Sequence, residues 1–166
     1  MNADFEGIIL FKMAEYFGTD VRRINHAVKV LGFAKGIALK EGVSEFQLSV
    51  LIAAGILHDI GIHECERKYG STAGGLQEKE GPAIARAMLL EMGADEVFVD
   101  RVCFLIGHHH SYALIDGVDF QILVEADFLV NIFEDEMGKV EIEAIRRKIF
   151  KTGAGISLMD SMYLNV

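Results

Sequence analysis

The 166-residue chain is 51% hydrophobic and 25% charged, with 25 acidic against 16 basic side chains and a formal net charge of −9. That length fits one domain whose core needs no disulfide staples, and the composition excludes disordered and membrane-embedded classes. The charge argues against a nucleic-acid polymer as partner, since such binding rests on basic surface; an anionic small substrate stays open, because a bound metal reverses the local potential.

A mean hydropathy of +0.29 is high and points to a helix buried on all sides or to the interface of a homo-oligomer. No run of apolar residues reaches the roughly 18 that a spanning helix needs. The N-terminus shows no basic region followed by an apolar stretch, so no signal peptide is expected. Cys65 and Cys103 form no CxxC pair and suit a reducing cytoplasm. A cytoplasmic protein without a membrane partner is therefore expected.

Apolar periodicity is helical almost throughout. A first helix is expected over 4–17, stopped by Gly18. A second starts at Thr19 or Asp20, either able to cap it, and ends near Gly42. Ser44-Glu-Phe-Gln47 has capping-box spacing, and residues 48–57 after it are apolar on every face except at Ser49, the mark of a helix buried all round. The longest loop is expected over 62–77. Pro82 is placed to open a helix over 82–92 that stops at Gly93. Further helices are expected over 95–107, 119–135 and 140–151, with a loop over 110–118. Residues 119–135 are rich in branched side chains, but their length without an internal turn signal favours helix. No segment alternates as a strand should, and the fold class is all-α.

His58-Asp59 directly follows the buried helix. A carboxylate there is costly unless paired or bound to a metal, and residues 42–58 contain no Lys or Arg. The adjacent imidazole offers a nitrogen ligand for a transition metal. Asp127 repeats the anomaly inside an apolar run, with Asn131 one turn on. His26 lies among apolar neighbours on its helix, and His108-His109-His110 ends another. Each feature alone also has a plain reading: a solvated polar stripe, a core histidine, a polar helix end. Their order carries more.

In that order the sequence resembles the HD superfamily of metal-dependent phosphohydrolases: a first helical His, a His-Asp pair, optional further His residues and a late Asp. The resemblance runs from about Arg22 to Phe133. It is carried by RRINHAVKV around His26, LIAAGILHDIG at the pair, EGPAIARAMLLEMG in the middle and ILVEADFLVN at the end. It implies an HD-domain helical bundle, one domain over 1–166 with a core of about 20–135 and a helical extension over 138–166. It also implies His26, His58, Asp59 and Asp127 as metal ligands, with Asp59 the bridging ligand if two ions bind.

The carry-over is uneven. Two-metal members of the family carry a further His where this chain has Gln77, with Glu78 beside it; Glu78 is the candidate to replace that ligand or act on a bound water, and Glu80 the weaker one. The family spacing of a helix-end His pair fits His109 and His110, with a shift to His108 and His109 as the alternative. The Gly-Tyr-Pro segment of the cyclic-dinucleotide phosphodiesterase branch is missing after Asp116-Gly117, which disfavours that branch. The implied activity is hydrolysis of a small phosphate ester, a nucleotide or related metabolite, with Asp59 and Glu78 as catalytic carboxylates. The implied cofactor is one or two divalent ions: Mn, Fe, Co, Ni, Zn or Mg. Arg22, Lys29, Asn131 and Lys151 are candidate substrate-binding residues. The rival expectations are a di-iron oxygenase of HD type, against which Gln77 counts, and a non-catalytic nucleotide or metal sensor, against which the intact ligand set counts.

Overall fold

The computed structural model describes residues 3–165; the outermost residues of the expected 1–166 domain lie outside them. Among the described residues there is no strand. The helices are α1 (Ala3–Phe17), α2 (Val21–Glu41), α3 (Glu45–Leu57), α4 (Ile62–Tyr69), α5 (Gly74–Glu91), α6 (Glu96–Ile106), α7 (Val118–Glu134), α8 (Lys139–Lys148) and α9 (Gly153–Met159), with a 3-10 turn at Tyr112–Leu114 and a closing π turn at Asp160–Leu164.

Local chemistry sets most of these boundaries. Gly18, Gly42, Gly70 and Gly93 adopt positive φ just past helix ends, where an L side chain would be strained. Asp20, not Thr19, caps α2 by accepting from Arg23 N–H, and the Ser44–Gln47 capping box closes as its spacing predicts. Helix α3 is the centre of the bundle: Val50 to Leu57 are all buried, and α1, α2, α6 and α7 pack around it. The stretch Glu45–Tyr69 has the length and hydropathy to cross a membrane, which a count of consecutive apolar residues does not register. It is a core segment instead, with 67% of its apolar window buried and a turn breaking it after Leu57.

Two expectations need correction. The stretch 62–77 is not a long loop. It holds α4, which buries Ile62 and Cys65 and braces its outer face with Glu64–Arg67 and Glu64–Lys68 ion pairs at helical spacing, and then the first turn of α5. Nor does Pro82 open a helix; it lies well inside α5. An interior proline removes a hydrogen bond and restricts the residue before it, partly by a clash with that residue's Cβ. Here the preceding residue is Gly81, which has no Cβ to clash. The same glycine serves packing: a Cβ built on Gly61 would lie 2.7 Å from Gly81 N and 3.0 Å from Gln77 O. The turn after Asp59 thus touches the backbone of α5, and the contact needs glycine on the turn.

The C-terminal part also departs in detail from the expected 140–151 helix, since α8 stops at Lys148. Glu125, fully buried on α7, accepts from the backbone N–H groups of Lys151 and Thr152 and from Gln121 Nε2. That carboxylate claims the chain after α8 and turns it into α9, which packs on α2 and α7.

Replacing Gly61 by Ala is expected to destabilise the protein by about 1–3 kcal/mol through overpacking, because the atoms in the way are backbone. Urea unfolding of the variant checks this; an unchanged midpoint would show that α5 shifts freely.

Candidate metal centre

The site lies where α2, the C-terminus of α3, the end of α6 and the middle of α7 meet. Each ring is set by its own helix. His58 Nδ1 donates to Gly55 O at 3.0 Å and His109 Nδ1 to Ile106 O at 2.8 Å, so both present Nε2 as the free, lone-pair nitrogen. His26 Nδ1 donates to a Glu134 carboxylate oxygen at 3.0 Å, which likewise leaves Nε2 facing inward. His26, His58, His109 and Asp127 are all buried, and the Asp59 side chain is 15% exposed.

The inward atoms converge. His26 Nε2 stands 3.1 Å from His58 Nε2 and 3.2 Å from Asp127 Oδ1, and His58 Nε2 is 3.6 Å from that same oxygen. Asp59 Oδ2 is 3.7 Å from both nitrogens. Ligands at about 2.1 Å from one ion lie roughly 3.0 Å apart in octahedral and 3.4 Å apart in tetrahedral arrangement, so this spacing suits a shared divalent ion. Asp59 also belongs to a second group with His109 and His110, its Oδ1 being 3.6 Å from His109 Nε2. The Nε2 atoms of His109 and His110, and Oε1 of Gln77, are buried without a hydrogen-bond partner. Buried polar atoms left unpaired are costly, and a cation with its water would satisfy those that carry a lone pair. The donor set of imidazoles and carboxylates without thiolate fits Mn, Fe, Co, Ni, Zn or Mg.

The electrostatics lead the same way. Burial opposes charge on His26, yet the hydrogen bond and charge of Asp127, aided by Asp59 and Glu134, pull its imidazole up to about 9. Burial would raise Asp59 and Asp127, but the surrounding imidazoles hold both below the usual carboxylate range. Burial keeps His58 low, and burial beside His109 brings His110 down to about 4. The buried carboxylates therefore draw positive charge inward, while two rings stay neutral as ligands must be.

The remaining candidates fall in different places. Asn131 Nδ2 donates to Asp127 Oδ1 at 2.9 Å and so orients a candidate ligand oxygen. Glu78 accepts from His110 N–H at 3.0 Å and Ser111 Oγ at 3.1 Å, clamping the turn that carries the histidines. Gln77 Nε2 donates to Thr72 O. His108 Nδ1 donates to Phe104 O, and its ring packs on Phe104, outside both ligand groups. Glu80 pairs with Lys68 and Tyr69 at the surface. Lys29 is held by Glu134, and Arg22 is exposed with Asp135 at 3.9 Å. Lys151 is exposed and not brought to this group: its ammonium donates to Arg147 O and its backbone N–H to Glu125.

Two groups at the site carry little signal in the sequence. Glu134 ends α7, one turn beyond Asn131 and two turns beyond Asp127, and bonds His26 and Lys29 at once. Its spacing from Asp127 is the one hint available. Tyr112 follows the histidine cluster; burial raises its phenol, and the carboxylates of Asp127 and Glu78 add to this.

Replacing Glu134 by Gln keeps the size but removes the charge that fixes the His26 tautomer. Metal affinity is expected to fall by about tenfold to a hundredfold with the fold intact, as measured by competition with a chelating dye. Unchanged affinity would mean that Glu134 serves only Lys29.

The comparisons agree with this geometry. The model of the HD domain family matches residues 23–149. Among solved structures, the crystal structure of a predicted HD superfamily hydrolase from an uncultured Thermotogales bacterium matches with a TM-score of 0.67 and 28% identity, over 93% of this chain and 83% of that one. No curated protein matches the chain. The match over most of the sequence, on the segment that holds all four converging side chains, shows that the chain belongs to the HD domain family.

Proposed function

We propose that this metal-dependent hydrolase cleaves small phosphate esters, with a nucleotide or related metabolite as substrate. The observation that carries the proposal is the sharing of Asp59 between two ligand groups, one with His26 and His58 and the other with His109 and His110. These residues would hold a divalent ion, which when bound would supply an acidified water as nucleophile and polarise a phosphoryl oxygen.

The chain's own residues do the rest. His26, His58, Asp59 and Asp127 hold the first position, with Asn131 and Glu134 fixing the rotamer of Asp127 and the tautomer of His26. His109 and His110 face the second, on a turn held by Glu78. Asp59 directs one oxygen to each side, which makes it the carboxylate that would join the two positions. A small substrate, and not a nucleic-acid polymer, is favoured by the net charge of −9 and by the engagement of Arg22 and Lys29 with acidic partners.

Metal-stripped protein reloaded with Mn, Fe, Co, Ni, Zn or Mg and assayed on nucleoside monophosphates, cyclic nucleotides and sugar phosphates tests this. At least one metal is expected to restore turnover, and Asp59→Ala to lower it about a thousandfold or more while remaining folded. Tight nucleotide binding without turnover under any metal would favour a sensor instead. Robust cleavage of long RNA or DNA with no activity on small esters would reverse the substrate assignment, and an iron-loaded form with visible absorption and oxygen uptake would replace hydrolysis by oxygenation.

A further inference from the structure

An anionic substrate at this site needs hydrogen-bond donors from the protein, and the obvious cations are taken. Lys29 is bound by Glu134, Arg22 lies out beside Asp135, and Lys151 is attached to Arg147 O. Ser111 spends its hydroxyl proton on Glu78. Tyr112 offers a neutral donor at the rim. It opens the 3-10 turn two residues after His110, and its ring packs against that of Phe128, the residue following Asp127, with centroids 5.4 Å apart. It thus bridges the end of the turn bearing His109 and His110 and the α7 segment bearing Asp127. The side chain is not buried away: Tyr112 is 39% exposed, and its hydroxyl has no hydrogen-bond partner among the described residues. Asp127 and Glu78 are the charged groups acting on it.

The turn is also firmly placed. Ser111 N–H donates to His108 O and Leu114 N–H to Ser111 O, while Arg101 on α6 forms paired bonds to Asp116 and to Asp119, tying both ends of the following segment down. A rigid aromatic ring with a free phenol at the edge of the candidate metal site suits a ligand that has an oxyanion at one end and a flat ring at the other.

We infer that Tyr112 contacts the substrate, its phenol donating to an oxygen of the ester and its ring, backed by Phe128, packing on a planar base, so that the substrate class is a nucleoside monophosphate. This rests on the phosphoester reading above. The role is separable from packing because Tyr112→Phe keeps the ring and its contact with Phe128.

The test compares wild type, Tyr112→Phe and Tyr112→Leu, all metal-loaded, in turnover and in calorimetric binding of adenosine 5′-monophosphate and ribose 5-phosphate, with melting temperature and metal content measured alongside. Loss of one hydrogen bond to a charged oxygen is expected to raise KM and Kd about tenfold for both esters in Tyr112→Phe, at unchanged melting temperature and metal content. Tyr112→Leu is expected to lose, in addition, any preference for the nucleotide over the sugar phosphate. Unaltered KM, kcat and Kd in Tyr112→Phe would overturn the inference, as would a nucleotide preference surviving in Tyr112→Leu. If wild type binds the nucleotide but cleaves neither ester, the hydrolase reading falls and the Kd ratio still decides the role of Tyr112. If wild type neither binds nor cleaves either ester, both fall.

Discussion

Two carboxylates, Asp59 and Asp127, are drawn into the interior of the bundle, and their charge is the constraint on which the site depends. Leaving them there uncompensated is costly. Among the described residues no Lys or Arg pairs with either; the groups that do are the imidazoles of His26, His58 and His109. Protonating His26 answers part of the demand, which is why its basicity rises against the effect of burial. A proton is a small answer to two carboxylates and several converging lone pairs. A divalent ion would meet the same demand, and a second one beside it would engage the unpartnered nitrogens of His109 and His110.

The fold reads as scaffolding for that constraint. Helix α3 is buried on all faces from Val50 to Leu57, so the His58-Asp59 pair that follows it is delivered to a fixed point inside the bundle. The Gly61–Gly81 contact seats the following turn on α5 and brings Gln77 and Glu78 to the same end of the bundle. Gly74 has the same use, since a Cβ there would fall 2.7 Å from the His110 ring. Around the ligands a layer of bonds from Gly55, Ile106, Asn131, Glu134 and Glu78 sets tautomers and rotamers. That layer leaves the free lone pairs facing one another, as metal sites generally require.

Much of this was legible in the sequence where the signal is local. The capping box at Ser44, the stop glycines and the apolar run of α3 are short-range features, and the structure keeps them. His26, His58, Asp59 and Asp127 stand out because a polar residue in an apolar run is an anomaly that needs a partner. What was not legible depends on contacts between distant segments. Helix α4 is short and charged, and only burial of Ile62 and Cys65 makes it a helix and not a loop. Pro82 reads as a helix start until Gly81 is seen to relieve the strain that proline imposes on its neighbour. Glu134 has the sequence of a solvated helix end, and its bond to His26 is closed across 108 residues. Lys29 is a substrate-binding candidate in the sequence, and its pairing with the same Glu134 is visible only in the fold.

The central claim is that His26, His58, Asp59 and Asp127 converge on one divalent ion. Anomalous diffraction from crystals of the manganese- or cobalt-loaded protein tests it most directly. The account predicts an anomalous peak within about 2.0–2.3 Å of His26 Nε2, His58 Nε2 and a carboxylate oxygen of both Asp59 and Asp127. A fully loaded protein whose only peaks lie at surface carboxylates, with the four side chains hydrogen-bonded to one another and to water, would contradict it.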